Sequence, residues 1–93
     1  NYKPLPKNLT IKISEIEGFG IFAIDDIKKQ TNLGLSHLIL DEEIIRTPLG
    51  GFINHSDNPN CQKVETDNKF YLHTITDIKN GEELTLKYTF YKL

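Results

Sequence analysis

The sequence predicts a mainly β fold with very little helix, and three observations carry that expectation. Residues 9 to 13 alternate Leu9, Ile11 and Ile13 with Thr10 and Lys12, a period of two that marks a half-buried strand. Near the other end, Leu84, Leu86, Tyr88 and Phe90 alternate with Glu83, Thr85, Lys87 and Thr89 in the same way. Between them, short apolar runs are separated by turn residues, and nothing has the length and 3.6-residue period of a helix.

The elements follow in order. Pro4 and Pro6 make residues 1 to 8 an extended flank, and the rest of residues 1 to 93 reads as one domain, since the length closes a single core and not two. After the strand at 9 to 13, IFAI (21 to 24) is an apolar run suited to a buried strand. DDIKKQTNLG reads as a turn-rich connection into LSHLIL, the next strand. In DEEIIRTPLGG, Asp41 resembles an N-cap, but Pro48 and two glycines leave room for one helical turn at most. KFYLHTI is rich in aromatic and β-branched residues and reads as a strand, and Asn80-Gly81 is a hairpin signal. AIDDIKK and TITDIKN each end an apolar strand in Asp-Ile-Lys; two copies are too few for a solenoid and indicate one strand-and-turn solution used twice.

Composition narrows the function classes. A net charge of -2, with the 11 basic residues spread along the chain, supplies no basic face for a nucleic-acid phosphate backbone. A single cysteine makes no internal disulfide, which fits a reducing compartment, cytoplasmic or otherwise intracellular, rather than secretion. No apolar run is long enough to span a bilayer, so no membrane partner is expected.

Several local signals have plain alternatives. GFGIFA fits the dinucleotide fingerprint as a string, but a strand rather than a helix follows it, so Gly18 and Gly20 serve a tight turn or a close backbone approach. His55, Cys61 and His73 lack the paired ligand spacing of a zinc site, and no metal is expected. Cys61 has no evident activating acid and reads as a small buried hydrophobe; His37, inside an apolar strand, reads as a hydrogen-bonded core or edge residue. The acidic runs at Asp41 to Glu43 and at Glu82-Glu83 read as solvated turns. GFINHSDNPNC (51 to 61) is different, because a solvated turn has no use for a buried approach through Phe52 and Ile53.

Three strings in sequence order, EGFGIFA, GFINHSDNPNC and GEELTLKY, resemble the successive signatures of the SET-domain family of protein lysine methyltransferases. The resemblance runs from about Ile11 to Tyr88 and implies a SET-domain fold of small twisted antiparallel sheets with a C-terminal pseudoknot, in which the middle signature passes under the last. It also implies S-adenosyl-L-methionine as cofactor and a lysine-bearing protein or peptide as substrate. The backbone of Gly18, Phe19 and Gly20 would run along the cofactor, Asn54 and His55 would hold its adenine and amino-acid ends, and Tyr88 would be the catalytic residue beside the methyl group and the substrate nitrogen.

The sequence departs from the family pattern at Gly51, Asp57 and Lys87, and the interval between the first and middle signatures is short. Residues 1 to 93 include no cysteine-rich tail; Phe90 or Tyr91 would supply an aromatic wall to the lysine channel, or a homodimer partner or flanking sequence would close it. The alternative to an enzyme is a SET-fold binding module that has lost turnover.

Overall fold

The computed structural model describes residues 5–87. In chain order the elements are β1 (Leu9–Ile13), β2 (Phe19–Ala23), β3 (Asn32–Leu40), β4 (Glu43–Arg46), α1 (Pro48–Phe52), β5 (Asn54–His55), β6 (Cys61–Thr66), β7 (Lys69–Thr74) and β8 (Glu83–Leu86). The fold is mainly β: the strands form an 8-stranded sheet in the order β1-β2-β8-β6-β7-β3-β4, with β5 off this path beside β8.

The strands read from alternation are present, with instructive differences in burial. Leu9 is buried, yet Ile13 at the far end of β1 is 80% exposed, because β1 is an edge strand. In β8, Leu84, Thr85 and Leu86 are all buried, since β2 lies on one side and β5 and β6 on the other. Their neighbours include Ile21, Ile53, Cys61, Leu72 and Ile78, members of a single apolar cluster. Burying one such aliphatic side chain stabilises the fold by about 1.5–3 kcal/mol.

Two turn expectations change. Asp41 is no N-cap: Asp41 and Glu42 have φ of 51° and 68° and form the tight turn between β3 and β4. The helical turn starts later, where the Thr47 hydroxyl accepts from the Gly50 N–H at 3.3 Å and Pro48 supplies a preset φ at the first position. Asn80-Gly81 forms a turn, closed by the Glu82 N–H donating to the Lys79 carbonyl at 2.9 Å, but not a hairpin, since β7 pairs with β3 and β6 whereas β8 pairs with β2, β5 and β6. The chain instead turns back tightly at Asp41-Glu42, between β3 and β4, and at Asp67-Asn68, between β6 and β7, all four residues at positive φ. β3 also begins earlier than LSHLIL; Gly34, at φ 118°, sits in a bulge that keeps Asn32 and Leu33 in the strand.

The duplicated strings pair with each other. Ile27 and Ile78 exchange two backbone hydrogen bonds of 2.7 Å, Asp26 Oδ1 accepts from the Asn80 N–H, and Asp77 Oδ1 accepts from the Lys29 N–H, both at 2.9 Å. This local near-symmetry fastens the end of β2 to the approach of β8. The parallel pairing of β5 and β6 with β8 agrees with the crossing that the signature strings imply.

Candidate functional site

The polar loop after α1 places Asn54 and Asn60 against β8. Helix α1 packs closely on β3: a Cβ at Gly50 would crowd the Ser36 backbone and the His37 ring. That contact fixes where the chain enters Ile53, which is buried, while Phe52 is 40% exposed, so only half of the expected apolar approach is interior. Beyond it, β5 runs parallel to β8 in the register Asn54↔Thr85 and His55↔Leu86, and the Ser56 N–H donates to the Leu86 carbonyl at 3.1 Å.

Asn60 acts as a substitute strand neighbour for β8. Its Nδ2 donates to the Glu83 carbonyl at 2.9 Å, its Oδ1 accepts from the Thr85 N–H at 2.8 Å, and its own N–H donates to the Thr85 hydroxyl at 3.2 Å. An unpaired backbone group here would cost about 1–3 kcal/mol. Ser56 and Asn60 of this polar loop thus satisfy backbone groups of the loop itself and of β8.

Asn54 reaches the other way. Its Nδ2 donates to Glu83 Oε2 at 2.8 Å, to the Glu17 carbonyl at 3.1 Å and to the Phe19 carbonyl at 3.4 Å. All three neighbours are acceptors, which fixes the orientation of the amide and leaves Oδ1 available to a donor. The Glu83 carboxylate also receives the Ser14 hydroxyl, at 2.8 and 2.9 Å to its two oxygens. Gly20 lies against this cluster: a Cβ there would collide with the Glu83 carboxylate and stand 3.0 Å from Asn54 Nδ2. Gly18 has open space around it, and its φ of 48° is what favours glycine. Phe19 between them is 57% exposed.

Gly18, Phe19, Gly20 and Asn54 are thus brought together. His55 is adjacent but exposed, its Nε2 lying 3.2 Å from Asp57 Oδ1. Tyr88, Phe90 and Tyr91 lie outside the described residues. Glu83, read from sequence as part of a solvated turn, is instead clasped between Ser14 and Asn54; its partners are 69 and 29 positions away, beyond any local pattern.

The remaining titratable candidates have structural environments. Cys61 is buried and its thiol is pushed up to about 12 by desolvation, against a smaller opposing effect of the Thr85 backbone, so it is the reverse of an activated nucleophile. His37 is buried beside the Ser36 hydroxyl at 3.1 Å; burial first, then Lys63 and Arg46, hold it down at about 4. No group of three or more His, Cys, Asp or Glu side chains among the described residues is placed to hold a metal ion. No helix among them is long and apolar enough to cross a membrane.

Residues 39–89 match the family model for the SET domain. The chain belongs to the SET-domain family. Among curated proteins, the chain is 29% identical over 117 aligned positions to the Drosophila melanogaster histone-lysine N-methyltransferase trr, covering 89% of this chain and 5% of that one. It is 38% identical over 73 positions to an H3 lysine-4 specific histone-lysine N-methyltransferase of Debaryomyces hansenii, covering 68% and 7%. The SET-domain chain therefore spans a small fraction of these relatives' length. Among solved structures, one of a Plasmodium falciparum chain described as a candidate histone methyltransferase superposes with a TM-score of 0.76 at 20% identity, covering 91% of this chain and 96% of that one. The methyltransferase domain of human PR domain-containing protein 2 gives 0.75 at 17%, covering 91% and 79%. The fold is that of SET domains.

Proposed function

We propose that this SET domain transfers a methyl group from S-adenosyl-L-methionine to a lysine side chain of a protein substrate. The observation that carries the reading is the convergence of the Gly18 to Gly20 backbone, the Asn54 amide and the Glu83 carboxylate at the start of β8, the strand whose sequence continues to Tyr88. The cradle fits the group: Asn54 Oδ1 faces no donor among the described residues and accepts an ammonium proton, the glycine loop admits close approach, and an anionic Glu83 suits a cationic ligand.

The bound cofactor supplies an electrophilic methyl carbon on a sulfonium. This chain's own work is binding, orientation and exclusion of water. The acceptors around Asn54 Nδ2 set the orientation of the amide, which turns its oxygen away from them. The substrate lysine, with a free pKa of about 10.4, has to shed its proton to solvent before its nitrogen can attack. Desolvation and a nearby like charge favour the neutral amine, so alignment rather than a strong base is required of the protein. Tyr88 is assigned to that alignment through its hydroxyl, and Phe90 and Tyr91 to the channel wall.

The names of the relatives suggest a histone-type basic tail as substrate, and the acidic turn at Asp41 to Glu43 and the net charge of -2 suit one. Incubation with methyl-labelled cofactor and histone peptides tests the proposal: label appears on lysine with the native chain and falls by at least about a hundredfold with Tyr88→Phe, the scale of a lost positioning group. Equal transfer by both would remove Tyr88 from the mechanism.

A second reading, a binding module without turnover, is favoured by one observation. The alignment with trr runs 117 positions against a chain of 93 residues, so the relative carries additional sequence within the matched stretch. Cofactor binding by calorimetry with no label transfer to any lysine peptide would select that module.

A further inference from the structure

We propose that Glu83 is the residue by which the site prefers the cationic methyl donor over its neutral demethylated product; the inference rests on the cofactor reading above. Three observations lead to it. Every hydrogen bond that the Glu83 carboxylate accepts comes from a neutral group, the Ser14 hydroxyl or the Asn54 amide. No ion pair among the described residues includes Glu83. Lys12, which stands opposite Gly20 in the β1–β2 ladder, is directed over the Phe22 ring, its Nζ 5.7 Å from the centroid.

The Gly20 contact places the charge. Because Gly20 leaves no room for a Cβ against the carboxylate, the negative charge sits directly behind the glycine loop. A carboxylate surrounded by neutral dipoles and partly removed from water projects its field onto whatever lies on that loop. Methyl transfer breaks the carbon–sulfur bond, leaves its electron pair on sulfur and forms the nitrogen–carbon bond, the amine's proton having gone to solvent. The product therefore keeps the donor's shape and loses one positive charge. A fixed anion strengthens binding of the first and has little effect on the second, so Glu83 favours exchange of spent product for fresh donor.

Isothermal titration calorimetry with S-adenosylmethionine and S-adenosylhomocysteine tests this. Glu83→Gln retains the shape and removes the charge; it weakens the donor by about tenfold and the product by less than about twofold, the size expected of one charge at an intermediate dielectric. Ser14→Ala keeps the charge and shifts both ligands alike. If Glu83→Gln weakens both ligands equally, Glu83 is only a strut and the proposal fails. Circular dichroism confirms the fold of each variant. Should Glu83→Gln not fold, the native protein decides: the donor-to-product affinity ratio falls as salt rises if charge sets it, and a salt-independent ratio overturns the inference. A native chain that binds neither ligand overturns the cofactor reading itself, a separate result.

Discussion

At the junction of Ile27 and Ile78, Asp26 and Asp77 each give one oxygen to a backbone N–H of the opposite repeat. At the other carboxylate cluster, Glu83 receives only side-chain donors, from Ser14 and Asn54, and no backbone N–H. The first arrangement closes on itself around two buried isoleucines, exposed by 4% and 1%. The second is held together by groups from three remote segments and lies behind a glycine loop with open space at Gly18. The same functional group stabilises the scaffold in one place and shapes a ligand cradle in the other, and the difference is which atoms it satisfies.

Substitutions should separate the two regions. The largest expected effect is that of Ile78→Ala, which leaves a cavity at the repeat junction and costs about 2–5 kcal/mol in chemical denaturation, with cofactor affinity of the folded fraction unchanged. A junction variant that loses binding without losing stability would break the comparison. Gly20→Ala is the converse: the new methyl displaces Glu83 and Asn54, costs about 1–3 kcal/mol of overpacking and weakens cofactor binding by more than about tenfold, a loss of at least about 1.4 kcal/mol.

Acid titration sharpens the picture of how β5 is held. His37 lies under α1, the helix that delivers Asn54, and is kept at about 4 against an ordinary 6.5. Because the folded-state value is depressed, the unfolded chain binds the proton more readily; stability from this residue is complete above pH 6.5 and is lost as pH falls towards about 4. Denaturation midpoints measured across that range decline, and His37→Phe flattens the decline. The smallest effect is that of Asp77→Asn, which weakens a single hydrogen bond by about 0.5–1.5 kcal/mol and leaves binding untouched.

What the sequence disclosed follows the same physical division. Alternation found β1 and β8, and apolar or aromatic runs found β2 and β7, because those strands have a buried face. β4 escaped notice since all four of its residues are exposed, and β6 because its burial pattern is mixed. The Asp67-Asn68 turn lacks the glycine that makes Asn80-Gly81 a strong hairpin string, yet Asn80-Gly81 lies where no ladder forms between the flanking strands. In the site, the signature strings pointed to Gly18, Gly20 and Asn54 together, whereas Asn60 and Glu83 emerged only from contacts that β8 makes across the fold. Glu83 looked like solvent-facing charge because Gly81 and Glu82 precede it, and sequence distance hides Ser14.

Backbone amide resonances of the isotope-labelled chain, followed while S-adenosylmethionine is added, test the central claim most directly. The account predicts shifts concentrated at Gly18, Phe19, Gly20 and Asn54, with the amides of Asp26 to Lys28 and Asp77 to Lys79 unmoved. Shifts centred on the repeat junction, with the glycine loop silent, would contradict it.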